Sequence, residues 1–167
     1  MKQLLLFCLL LWFFTGCKKE SNAKVEIYLL QSFTRSVDVS AGLAITRYSD
    51  VSLSATPLVA NSDIVNYNPT KTTFYLRKDI GSALKDFGPD KAFAVTVNKQ
   101  IIYMGEFRPA WLSSVVFGIA TINPAFVNGK QMPVDFIRID NYPDLKNLDR
   151  RNDERLLNAL LKTGRLL

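Results

Sequence analysis

Residues 92–104 read AFAVTVNKQIIYM. Ala92–Val97 and Ile101–Met104 are apolar, β-branched or aromatic, and the polar Asn98-Lys99-Gln100 between them leaves room only for a tight reversal. The stretch is predicted to be a β-hairpin, and it commits the middle of the chain to an antiparallel sheet.

Upstream, Ile80, Ala83, Leu84 and Phe87 recur at i, i+3, i+4 and i+7, with Asp79 placed to cap and Gly88-Pro89 to stop. That spacing predicts a short amphipathic helix. Thr72-Thr-Phe-Tyr-Leu-Arg77 is β-branched and aromatic, hence a strand. Before it, Ser62 or Asp63 is placed to cap one helical turn over 63–67, which Pro69 would end. Lys24–Gln31 alternates, with Val25, Ile27 and Leu29 on one face, and reads as the first strand. The Ser/Thr-rich Ser32–Ser54 between them reads as a loop with a short strand near Val51–Leu53.

Downstream, Val115–Ile122 and Val134–Ile139 are predicted strands, joined through the turn dipeptide Asn128-Gly129. The last element is a helix. Asn152 is placed to cap it, Asp153 and Glu154 sit where the helix dipole favours anions, and Leu156, Leu157, Leu160 and Leu161 form a stripe before Gly164. These elements predict an α+β fold: an antiparallel or mixed sheet of about five to six strands with two main helices packed on one face.

The N-terminus carries a different signal. Lys2 precedes an apolar run, Leu4–Phe14, that is too short for a bilayer span of about 20 residues. Thr15-Gly16-Cys17 follows, and its place after such a run resembles a bacterial lipobox, with cleavage after Gly16 and acylation (palmitate among the chains) of Cys17. The plainer alternative is a secretory signal with an incidental cysteine. Residues 1–16 therefore read as a lipoprotein signal peptide, 17–24 as acylated Cys17 with a polar tether, and 25–167 as a single α+β domain. The tether from Lys18 to Lys24 reaches at most about 23 Å. Two or more acyl chains anchor firmly where one holds only marginally.

Without Lys2, twenty lysines and arginines face fifteen acidic residues, scattered rather than clustered. No nucleic-acid footprint follows from that pattern. The chain has no histidine, and no cysteine follows Cys17. Histidine-based triads, histidine metal sites, thiol nucleophiles and disulfides are excluded from the mature chain. No GxSxG, phosphate loop or dinucleotide fingerprint is present. What remains for catalysis is Ser113 or Ser114 with Lys99 or Lys130 as base, without a supporting motif. The acidic residues Asp140, Asp144, Asp149, Asp153 and Glu154 are interleaved with Lys146, Arg150, Arg151 and Arg155 and lack the rhythm of a calcium loop. They read as caps and ion pairs; no metal and no cofactor is expected.

The segment Tyr103-Met-Gly-Glu-Phe-Arg-Pro-Ala-Trp-Leu-Ser-Ser114 gathers Tyr103, Phe107, Arg108 and Trp111 near Gly105 and Pro109. Tyr, Trp and Arg dominate protein–protein hot spots, so these four are a candidate binding surface. The competing reading has Phe107 and Trp111 closing the open end of the core.

Several stretches also resemble small uncharacterised lipoproteins of the Bacteroidota type. They are Pro57-Leu58-Val59, Ser62-Asp63-Ile64 with Tyr67, Thr73–Leu76, Phe93–Val97 through Ile102–Phe107, and Arg151–Arg155. The order strand, short helix, hairpin from Thr72 to Phe107 is loosely similar in fold to the periplasmic P1-type head of SecD. The lipoprotein resemblance implies an anchor in the outer membrane, with Lys18 rather than Asp after the cysteine, and supplies no catalytic residues. The expectation is a non-enzymatic binding or accessory module of the cell envelope. Its partners would be the membrane, through the Cys17 lipid, and an envelope protein or glycan. The alternative is a hydrolase of envelope glycan or peptide using carboxylates or a Ser–Lys pair.

Overall fold

A computed structural model describes residues 23–40, 42–139 and 142–167. Cys17, the signal segment, most of the tether and Asp140 lie outside the described residues.

The predicted hairpin is the centre of the fold. Strands β5 (Ala92–Val97) and β6 (Gln100–Phe107) pair antiparallel around Asn98 and Lys99, both left-handed at φ 51° and 64°. A two-residue turn of that kind matches the right-handed twist of its strands. The first strand, β1 (Val25–Ser40), lies on the other side of β5, pairing Val25 with Val97 and Leu29 with Phe93. Lys24, assigned to the tether, is already fixed: its N–H donates to Asn98 Oδ1 at 2.9 Å.

Beyond Leu30 the chain departs from expectation. The presumed loop continues β1 and returns as β2 (Leu43–Leu53), a long antiparallel pair with irregular register at Leu30–Thr34. In the outer part of this arm Thr34–Val39 are all exposed, so β1 shows no buried-face alternation there that periodicity could detect.

With β7 (Ala120–Ile122), which runs parallel to β6, the main sheet has the order β2-β1-β5-β6-β7. Just before β7, Phe117 bridges in parallel to Ile45 of β2, and the Thr46 N–H donates to the Phe117 carbonyl at 2.9 Å. One chain segment thus pairs with β6 and reaches β2 at the far edge, and the sheet curls toward closure. Gly118, at φ 80°, makes the crossing; a Cβ there would stand 2.5 Å from Ile45.

The second sheet has three strands, in the order β3 (Ile64–Asn68), β4 (Thr73–Leu76), β8 (Gln131–Pro133). The helical turn expected over 63–67 is instead a 3-10 turn, Asn61–Asp63, followed by β3. Ile64 and Tyr67 are both buried across a register shift, so a bulged strand carried a three-residue spacing that imitates a helix. The strand predicted at Val134–Ile139 is confined to a bridge between Asp135 and Thr121, while β8 begins just after the Asn128-Gly129 turn.

Of the two main helices expected, one is present. The first is a single turn, α1 (Gly81–Leu84), whose Gly81 N–H is held by Asp79 Oδ1 at 2.7 Å. A short helix opening on proline, α2 (Pro143–Leu148), precedes the long one, α3 (Glu154–Lys162). Asp153, not Asn152, caps α3 by accepting from the Arg155 N–H at 3.0 Å. Leu156, Ala159 and Leu160 are buried and Leu161 is exposed. Gly164 ends the helix at φ 67°, and the tail then bridges in parallel to Tyr67. The described residues are thus mainly sheet, eight strands in two sheets, with one helix of more than two turns.

Two apolar clusters fill the fold. The larger joins Ile27, Phe93, Val95 and Phe107 of the main sheet to Tyr67 and Phe74 of the small sheet and to Leu156 and Leu160 of α3. The smaller, on the opposite face, packs Ala92 and Ala94 under Leu30, Tyr48, Val116 and Ile119. Among the described residues no helix is long and apolar enough to cross a membrane.

Candidate functional site

The four residues of the sequence-predicted surface fall into three environments. Tyr103 is buried, and its hydroxyl has no hydrogen-bond partner among the described residues; burial pushes its pKa up. Phe107 is fully buried and packs edge-on against Phe87 with centroids 5.0 Å apart, and against Phe93 at 5.5 Å. Both belong to the core, because β6 directs them, with Gly105, toward the larger cluster. Trp111 is 74% exposed, so the reading that set it in the core with Phe107 fails, and so does a single four-residue surface.

Arg108 does something sequence reasoning did not foresee. Its neighbour Glu106 points to the opposite sheet face and is fully buried. Three donors surround that carboxylate. Tyr48 O–H donates at 2.8 Å, Arg108 Nη1 at 3.2 Å, and Arg35 Nη2 stands at 3.6 Å. Burial and the Glu106 charge raise the pKa of Tyr48, so it remains the donor. With its other nitrogen, Nη2, Arg108 donates to the Ser114 carbonyl and, at 2.7 Å, to Ser114 Oγ. One guanidinium therefore ties the loop after β6 to a buried charge. The signal for this was a lone acid in the apolar run Ile101–Phe107.

The braced loop borders a groove of about 320 Å³ lined by Pro109, Leu112, Val115, Thr121, Asn123 and Phe126, among others. Val115 is 56% exposed and Phe126 61%, and Trp111 lies between two lining residues, Ala110 and Leu112. The result is an exposed apolar rim drawn from two separate stretches of chain. Phe126 is positioned by a 3-10 turn, Pro124–Phe126, whose Ala125 N–H donates to Asn123 Oδ1 at 3.0 Å.

Of the catalytic candidates, Lys99 and Ser114 do not assemble. Lys99 occupies the β5–β6 turn, at the opposite end of β6 from Arg108, and Ser114 Oγ accepts from that arginine. Asp149 lies between two arginines, accepting from Arg151 Nε and Nη2 at 2.8 Å each and from Arg138 Nη2 at 2.6 Å. Burial would raise this carboxyl, but the hydrogen bonds from Arg151 and Arg138 outweigh it and hold the pKa at about 2. Asp153 pairs with Arg155 at 2.9 Å. Among the described residues no three His, Cys, Asp or Glu side chains converge as a metal site would require.

Set against known proteins, the chain matches no family model, no curated protein and no solved structure.

Proposed function

We propose that this chain is a lipid-anchored, non-enzymatic binding module of the bacterial cell envelope. Acylated Cys17 holds it in the outer membrane, and the rim formed by Trp111, Val115 and Phe126 meets an envelope protein. The observation that carries this reading is the exposure of Val115 and Phe126 at one groove, with the exposed Trp111 between two residues that line it, beside a loop that Arg108 braces rather than leaves free. Isolated exposed apolar residues are ordinary on a protein surface, but a grouped patch containing tryptophan is what interfaces use. Of the lining side chains only Arg108 is charged, and it is already paired with Glu106, which favours adhesion over proton transfer. Confinement to a membrane raises the effective concentration of the patch near its partner, so a modest contact area suffices.

The test is in-cell crosslinking of the acylated protein, recovered by a C-terminal tag and read by mass spectrometry. One stoichiometric envelope partner, lost in Trp111→Ala while the domain stays folded, is the expected result. Recovery undiminished by that substitution removes the patch from the proposal. Cys17→Ser tests the anchor: the precursor is expected to stay uncleaved and unlabelled by fatty acid, and normal processing would refute it.

A further inference from the structure

Residues 136–138 separate two depressions. Ile137 lines the Trp111 groove, whereas Phe136 and Arg138 line a second cleft of about 460 Å³ with Thr70, Thr72, Arg151 and Asn152. That size lies in the range of small-molecule sites, about 300–1,000 Å³. Its lining is different in kind from the apolar rim, being mostly arginine, threonine and asparagine.

Among the described residues the charges at this cleft do not cancel. Arg138 and Arg151 share the single carboxylate of Asp149, and Asp153, the next acid along the chain, is paired with Arg155. Asp149 stays ionised at neutral pH and, among the described residues, leaves one positive charge in excess. Arg151 is 7% exposed and fixed from every side. Its Nη1 donates to Thr72 Oγ1 at 2.9 Å and to the Val134 carbonyl at 2.7 Å, and its guanidinium carbon stands 5.7 Å from the centre of the Phe136 ring. Arg138 reaches Asp149 through Nε and Nη2 alone, so its Nη1 hydrogens make no bond among the described residues. A held guanidinium is a stronger recognition element than a mobile one, because its ordering cost is met during folding.

We propose that this cleft binds an acidic sugar: a phosphate or carboxylate group carried on a saccharide-sized body. The anion lies against the open face of Arg138, where a charge-assisted hydrogen bond and the surplus charge act together. The saccharide spreads toward Thr70 and Asn152, which offer a hydroxyl and an amide, over the edge of Phe136. Asn152 is held in place, donating through Nδ2 to the Pro69 carbonyl at 3.0 Å and accepting from Tyr67 O–H at 3.3 Å.

The test is isothermal titration of the detergent-solubilised full chain with glucose 6-phosphate, glucuronate, glucose and inorganic phosphate. At least one acidic sugar is expected to bind and glucose is not; which acidic sugar binds identifies the anion. Arg138→Gln, a change at an exposed side chain that leaves Asp149 its hydrogen bonds from Arg151, is expected to weaken binding about tenfold or more while the domain stays folded. Trp111→Ala is expected to leave the affinity as it was. The Nε–H resonances of Arg138 and Arg151 should shift on titration. The proposal is overturned if inorganic phosphate binds as tightly as both acidic sugars, if Arg138→Gln leaves their affinity intact, or if neither binds at about 10 mM, where even weak sites fill.

Discussion

Replacing Trp111 and Phe107 in parallel by alanine separates surface from core within five residues of one another. Trp111 is 74% exposed, so about a quarter of its side chain is covered. A tryptophan offers at most about 250 Å² for burial, and a quarter of that at about 25 cal/mol/Å² is about 1.6 kcal/mol. The unfolded chain also shields part of the ring, which brings the expected loss for Trp111→Ala to about 1 kcal/mol. Phe107 has no exposed surface and contacts two further rings, so Phe107→Ala leaves a cavity and is expected to cost about 3–5 kcal/mol. In a domain of this size about 1 kcal/mol moves the melting temperature by roughly 2–4 °C. Urea denaturation followed by circular dichroism resolves both effects. Equal losses for the two variants would refute the assignment of Trp111 to the surface and, with it, the binding patch.

Gly105→Ala is expected to destabilise by about 1–3 kcal/mol in the same assay, because a Cβ there would stand 2.3 Å from the Phe93 ring and 2.5 Å from the Ala120 carbonyl oxygen. The backbone oxygen belongs to β7 and cannot swing away; an unchanged melt would contradict the pairing of β6 with β7. Acid should loosen the molecule through Asp149. Its pKa is lowered on folding, so its contribution is complete above about pH 4 and is lost as pH falls toward 2, amounting to about 2 kcal/mol. Asp149→Asn is therefore expected to flatten the stability profile between those values. Asp63 and Asp153, also lowered, should leave a residual slope. A profile as steep as the parent's would show that Asp149 is not held by its arginines.

What could be read in advance depended on how many faces an element buries. The β5–β6 hairpin was legible because two apolar runs flank a reversal with no alternative geometry. The β1–β2 arm was not, because the outer part of β1 is exposed on both faces, and the alternation of Val37 and Val39 with Ser36 and Asp38 marks no buried side. In β3 a bulge replaced the two-residue rhythm with a helical one. α2 contains too few apolar residues to announce itself, only Leu145 and Leu148 after its proline. At the candidate site the residue types were legible and their roles were not. Tyr48 lies 58 residues from the Glu106 carboxylate it satisfies, and Phe126 lines a groove together with Val115, eleven residues earlier. Such meetings are set by sheet order and closure, which local pattern does not encode.

The shared direction of β1 and β6 has a mechanical consequence. Both lie antiparallel to β5, so the chain enters the sheet at Val25 at one end and leaves β6 for the Trp111 loop at the other. A pull between the N-terminus and that loop therefore runs along the strands, while the interstrand hydrogen bonds lie across them. The β1–β5 and β5–β6 ladders would be sheared as whole rows, each bond sharing the force, instead of being peeled one pair at a time. The fold is built to stay shut when tugged from these two ends.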